Sequence, residues 1–255
     1  MAHTITRDIA YRHADTRMLG CLLAGARAGD AVGARPGILL VHDAFGLTAD
    51  LVALAERYAA LGYTVFAADV WGERFQPTTG EQIGRLIGSM AGDRDEWMSR
   101  IRAAHLAAAA QPEVDAARIA VVGYCVGGSS ALEYVRTGGD VAGAVSIHGG
   151  LDLVAGDWSA ATSTASVLLC TGAADPMAAP RHWQPIKAGL TDAGIDWEFD
   201  LYSGAQHAFT NPKADALGMP GAAYDARSAA RAWARTVSFL GELFAEAPKS
   251  SSTGA

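Results

Sequence analysis

Cysteine is scarce in this 255-residue chain: only Cys21, Cys125 and Cys170 occur, at wide and unpatterned spacing. That usage suits neither a disulfide framework nor a zinc site, and it points to a reducing cytoplasm in which a thiol stays free. No apolar run approaches the roughly 18 residues that would cross a bilayer, so no membrane partner is expected. The first ten residues are too polar for a signal peptide. Basic residues are few and scattered, 20 Lys and Arg against 27 Asp and Glu for a formal charge of −7, which argues against a nucleic-acid partner. Internal repeats and linkers are missing too. Residues 1–247 are therefore expected to form one domain, with 248–255 (K-S-S-S-T-G-A at its end) as a disordered tail.

What is abundant is apolar side chain, half of all residues, enough to bury one large core. Residues 4–13 and 18–26 alternate as two antiparallel strands would. Short continuous apolar runs at 37–42, 63–69, 119–122, 141–148 and 166–170, with a further strand at 196–202, read as strands buried on both faces. Helical patterns separate them: 48–61 (capped by Thr48, stopped by Gly62), stretches between 80 and 110, the segment after Cys125, 180–193 and 224–245. This alternation predicts an α/β fold with a mostly parallel central sheet of about eight strands and helices on both faces.

Arg118–Ser130, R-I-A-V-V-G-Y-C-V-G-G-S-S, reads as strand, sharp turn, helix. It has the form of the G-x-S-x-G nucleophile elbow, with Cys125 where serine usually stands. Glycines two places either side let strand and helix approach closely, and the helix N-terminus aimed at Cys125 favours a thiolate. Asp175 follows the 166–170 strand in T-G-A-A-D-P, and His207 follows the 196–202 strand in G-A-Q-H-A-F. The chain order nucleophile, acid, histidine is the one α/β-hydrolases use. In that arrangement His207 takes the thiol proton or holds the thiolate, and Asp175 orients the imidazole. His42-Asp43-Ala44-Phe45-Gly46-Leu47 follows the first parallel strand. Its position nominates the backbone N–H groups of Ala44 and Val126 as an oxyanion hole. His42 and His148 also fall at strand ends and can line the pocket, whereas His3, His13, His105 and His182 lack such placement.

On V-H-D-A-F-G-L (41–47), G-Y-C-V-G-G (123–128), G-A-A-D-P (172–176) and Q-H-A-F (206–209), the chain resembles the dienelactone hydrolase family over nearly its whole length. The resemblance implies a single-domain α/β-hydrolase that works without metal or organic cofactor. It implies a Cys125, His207, Asp175 triad and the opening of an unsaturated lactone bearing a carboxylate to give maleylacetate. Two positions depart from the family's type member. Asp43 stands where that protein has a glutamate that engages the nucleophilic thiol. Asn211 stands where it has an arginine that grips the substrate carboxylate. A neutral amide cannot supply a charge-assisted, bidentate grip, so a neutral ester or lactone is the alternative substrate unless Arg74 or Arg85 substitutes.

The long segment Phe209–Tyr224 is expected as a functional loop, with Phe45, Trp71, Tyr124 and Phe209 lining an apolar pocket and Asn211 at its rim. The expectation is a cytoplasmic hydrolase of small-molecule esters or lactones acting through a thioester acyl-enzyme, as a monomer or weak homodimer. The alternative is a non-catalytic, redox-sensing protein in which Cys125 is a reactive thiol, with Cys170 as the candidate resolving partner.

Overall fold

Residues 3–26, 33–159, 161 and 164–245 are described by a computed structural model; the expected tail at 248–255 lies outside them. The chain opens with an antiparallel pair, β1 (His3–His13) and β2 (Thr16–Ala26), joined by a tight turn at Ala14 and Asp15. Then come β3 (Arg35–Val41), helix α1 (Ala49–Ala60) and β4 (Thr64–Ala67). Two helices follow, α2 (Gly80–Gly92) and α3 (Arg94–Ala109). The second half is regular: β5 (Val114–Tyr124), α4 (Val126–Arg136), β6 (Gly143–Ile147), β7 (Ser166–Gly172), α5 (Pro180–Asp192), β8 (Trp197–Tyr202) and α6 (Ala226–Leu243).

All eight strands form one sheet in the order β1-β2-β4-β3-β5-β6-β7-β8. From β4 to β8 every pairing is parallel, and only β1–β2 and β2–β4 run antiparallel. A parallel sheet must be covered on both faces because its crossovers are helical. Two apolar clusters fill the two interfaces accordingly. One holds Leu39, Phe66, Trp97, Ile101, Val121 and Leu132 beneath α3 and α4; the other holds Ile38, Leu40, Tyr58, Val122, Leu168 and Leu240 beneath α1 and α6. Adjacent residues of β3 and of β5 point alternately into the two clusters. That is why these strands read as unbroken apolar runs.

The helical stretches expected between 80 and 110 are two helices: Asp93 (φ −132, ψ 85) leaves helical geometry, closes α2 and caps α3 by accepting from Glu96 N–H at 3.0 Å. Two strand boundaries differ from expectation for local reasons. β4 ends at Ala67, before the expected Asp69, because the buried Asp69 carboxylate gathers the N–H groups of Leu19, Gly72 and Arg74 and turns the chain. β5 starts at Val114, ahead of the apolar run, since Val114 and Asp115 pair with Arg35 and Pro36 before the register shifts at Pro36/Gly37.

Candidate active site

The carboxyl ends of β3, β5, β7 and β8 meet at one edge of the sheet, where ligands collect in open parallel α/β folds. Cys125 stands directly after β5 and before α4, at φ +55 and ψ −122, a region that side chains with a Cβ rarely occupy. The surroundings hold it there: its N–H donates to Ile147 O at 3.1 Å, and its carbonyl accepts from Gly128 N–H at 2.9 Å. The two flanking glycines are steric necessities. A Cβ on Gly123 would collide with the Gly127 carbonyl, and one on Gly127 with the carbonyls of Val41 and His42.

Asp175 follows β7 and is 3 % exposed; His207 follows β8 and is 1 % exposed. His207 Nδ1 lies 2.8 Å from Asp175 Oδ2, and its Nε2 lies 3.1 Å from Cys125 Sγ. The other Asp175 oxygen, Oδ1, accepts from Met177 N–H at 2.8 Å, which caps the short 3-10 turn Pro176–Ala178. Both carboxylate oxygens are therefore committed, which fixes the orientation of the imidazole. Burial pulls the His207 pKa down, but the negative charge of Cys125 and the hydrogen bonds to Asp175 and Cys125 outweigh it, pushing the value up to about 10. The three side chains predicted as a triad are thus brought into one line.

Other predicted residues have mixed placements. Asp43 is partly buried, and its Oδ1 accepts from Phe45 N–H at 2.9 Å. Burial pushes this carboxyl up, against the pull of that N–H. Among the described residues the Cys125 sulfur hydrogen-bonds to His207. Ala44 is buried and its N–H donates to nothing among the described residues, while Val126 opens α4, where first-turn N–H groups have no helical acceptor. Trp71 is 6 % exposed and donates from Nε1 to Ala44 O at 3.2 Å, beside the partly exposed Phe45. Tyr124 directs its hydroxyl to Tyr58, 2.8 Å away in the core under α1, with its ring edge-on to His148. Phe209 is fully buried, edge-on to His148 and Tyr202, so it backs the site from inside.

Asn211 spends part of its amide on its own loop, Oδ1 accepting from Lys213 N–H at 2.9 Å. Neither arginine proposed as its substitute is free. Arg74 binds Asp8 at 2.5 Å and the carbonyls of Leu19 and Gly20, and Arg85 pairs with Glu81 on the exposed side of α2.

The Phe209–Tyr224 segment has more structure than its sequence suggests. It contains a 3-10 turn at Ala214–Leu217, and Asp225 N–H closes it on Phe209 O. Its Ala222 forms an isolated bridge with His207, and Lys213 pairs with Asp50 at the start of α1. His148, expected at a strand end as pocket lining, lies against the triad itself. It sits at φ +39, 2 % exposed, its ring 5.4 Å from that of His207 and its Nε2 2.8 Å from Thr210 Oγ1. Burial and the neighbouring His207 hold its pKa well below the ordinary value, so it stands beside the triad as a neutral ring. Among the described residues no group of three or more His, Cys, Asp or Glu is arranged to hold a metal, and no helix is long and apolar enough to cross a membrane.

Comparison with known proteins bears on the family and the fold. The sequence model of the Dienelactone hydrolase family matches residues 24–244. Among solved structures, a dienelactone hydrolase-like promiscuous phosphotriesterase, P91, from metagenomic libraries is 36 % identical with a TM-score of 0.87, covering 95 % of this chain and 99 % of its own. A protein designated m3DLH is 33 % identical with a TM-score of 0.85, over 95 % and 99 % of the two chains. Protein usf of Aquifex pyrophilus is 24 % identical over 211 residues, 81 % of this chain and 88 % of that protein.

Proposed function

The chain belongs to the dienelactone hydrolase family, and we propose that it hydrolyses neutral carboxylic esters or lactones through a thioester on Cys125. The observation supporting this most directly is the single imidazole that joins Asp175 at 2.8 Å to Cys125 at 3.1 Å. The contacts with Asp175 and Cys125 favour the protonated imidazole of His207, which suits it to take and return the proton of the reacting sulfur. The thiolate adds to the substrate carbonyl carbon, and the C=O electron pair moves onto oxygen, facing the N–H groups of Ala44 and Val126. Collapse of that oxyanion expels the alkoxide, which takes the proton from His207 Nε2; in a lactone it stays tethered to the acyl group. His207 then removes a proton from water, the hydroxide attacks the thioester, and the acid leaves as Cys125 regains its charge.

The preference for a neutral substrate comes from what surrounds the site. Asn211 offers no positive charge, and Arg74 and Arg85 are bound to Asp8 and Glu81. A second reading, attack of the same thiolate on phosphorus in a neutral phosphotriester, is favoured by the 36 % identity to P91. The redox-sensor alternative has geometry against it. Cys170 lies on β7, separated from β5 by β6, so two strand spacings of roughly 5 Å stand between it and Cys125, beyond the ~7 Å limit for bridged Cα atoms. Cys170 is also fully buried, and burial pushes its thiol up to about 12.

Initial rates on p-nitrophenyl acetate, dienelactone and paraoxon, each against Cys125→Ala, separate these readings. The ester is expected to turn over well and dienelactone poorly. Asn211→Arg is expected to raise kcat/KM for dienelactone about 10-fold, the scale of one added charge-assisted contact. Dienelactone preferred by orders of magnitude in the unaltered enzyme would end the neutral-substrate reading, and paraoxon turnover alone would establish the phosphotriester one.

A further inference from the structure

His42 precedes the proposed oxyanion loop, and both of its ring nitrogens are committed to backbone. Val70 N–H lies 3.1 Å from Nε2, and Asp43 O lies 2.6 Å from Nδ1. A peptide N–H can only donate and a carbonyl can only accept. The two partners therefore dictate one state, a neutral ring with its hydrogen on Nδ1 donated to Asp43 O. Burial, at 1 % exposure, pulls the His42 pKa down and favours the same neutral state.

The carbonyl that His42 holds and the N–H of Ala44 belong to one planar peptide unit. We infer that His42 is a positioning residue for acyl transfer: by donating to Asp43 O it fixes the plane of the Asp43–Ala44 peptide and aims the Ala44 N–H at the oxygen that becomes charged. A hydrogen bond to the carbonyl also polarises the amide and strengthens its N–H as a donor. Trp71 holds the next carbonyl in the same way, donating from Nε1 to Ala44 O at 3.2 Å, with its ring 5.1 Å from that of His42. Two successive carbonyls are thus gripped by buried side chains, and the N–H between them is left without an acceptor among the described residues. Gly46 N–H also reaches Asp43 O, at 3.3 Å, but from within the same turn. The grip itself is anchored, since Arg100 donates to the carbonyls of Val70 and Trp71 at 3.0 and 3.2 Å.

This inference rests on Cys125 attacking a carbonyl, so its test pairs two reactions of the same sulfur. Ester hydrolysis builds an oxyanion. Alkylation by iodoacetamide does not: the thiolate displaces iodide at a saturated carbon. His42→Phe is expected to lower kcat/KM for p-nitrophenyl acetate about 10- to 100-fold, mostly in kcat, approaching the loss of one oxyanion donor. The alkylation rate of Cys125 should stay within about two-fold. His42→Asn, which offers an amide donor near the place of Nδ1, should recover part of the loss. If His42→Phe does not fold, Trp71→Phe applies the same two readouts to the Ala44 carbonyl and should lose turnover several-fold with alkylation retained. Turnover and alkylation falling together, or turnover unchanged, would overturn the inference while leaving the hydrolase reading intact. No turnover by the unaltered enzyme would overturn both.

Discussion

Replacing Cys125 by alanine is expected to lower kcat/KM for an activated ester by at least ~10⁴-fold, the scale seen when a triad nucleophile is deleted. The thermal midpoint should move by no more than about 2 °C, since only one sulfur is lost and the Cβ that bears the φ of +55 remains. A second readout follows from electrostatics. The folded-state pKa of His207 is raised above its ordinary 6.5 to about 10. Its contribution to stability is therefore complete below pH 6.5 and fades as pH climbs through about 10. Removing Sγ takes away the charge of Cys125 and one hydrogen bond, so the imidazole should titrate lower in the variant, as followed by NMR of the ring nitrogens. Retained turnover would remove Cys125 as the nucleophile; an unmoved titration would show that no thiolate shares the proton.

Asp175→Asn should cost nearly as much by a different route. Two N–H donors converge on this carboxylate, from Met177 on Oδ1 and His207 on Oδ2, both at 2.8 Å. An amide has a single acceptor oxygen, so it cannot serve both. Either the Pro176–Ala178 cap loses its acceptor, or His207 turns to the tautomer with hydrogen on Nε2 and can no longer take the thiol proton. The expected loss in kcat/KM is about 10⁴-fold, or ~5 kcal/mol in transition-state stabilisation, with stability lowered by ~1 kcal/mol for the cap. A variant with kcat/KM unchanged would place the imidazole's orientation elsewhere.

The sheet was legible because two-sided burial writes itself as unbroken apolar runs, as at Ile38–Val41 and Val121–Val122. The elbow was legible because Gly123 and Gly127 are forced by backbone contacts that exclude any side chain. Less visible were features that depend on where side chains point. Tyr124, read as pocket lining, turns its hydroxyl to Tyr58, a partner set by how α1 packs on β5. The freedom of Arg74 was equally hidden, since its partners lie on β1 and β2, distant in sequence. His148 and His42 could be placed at strand ends from the sequence. Their roles emerged only from contacts with Thr210, His207, Val70 and Asp43.

Of the two outermost strands, β1 bears no proposed catalytic residue, whereas β8 leads directly to His207. Among the described residues β8 is hydrogen-bonded to a strand along one side only, and just one of its six residues, Tyr202, is buried. Segments of this kind open in small cooperative fluctuations well before the whole molecule melts. The durability of the enzyme in use is therefore expected to be set at this margin. On slow heating, activity should decline several degrees before the tertiary circular-dichroism signal, with amide exchange quickening first along Trp197–Tyr202. Bracing that one strand would lengthen working life without touching the chemistry.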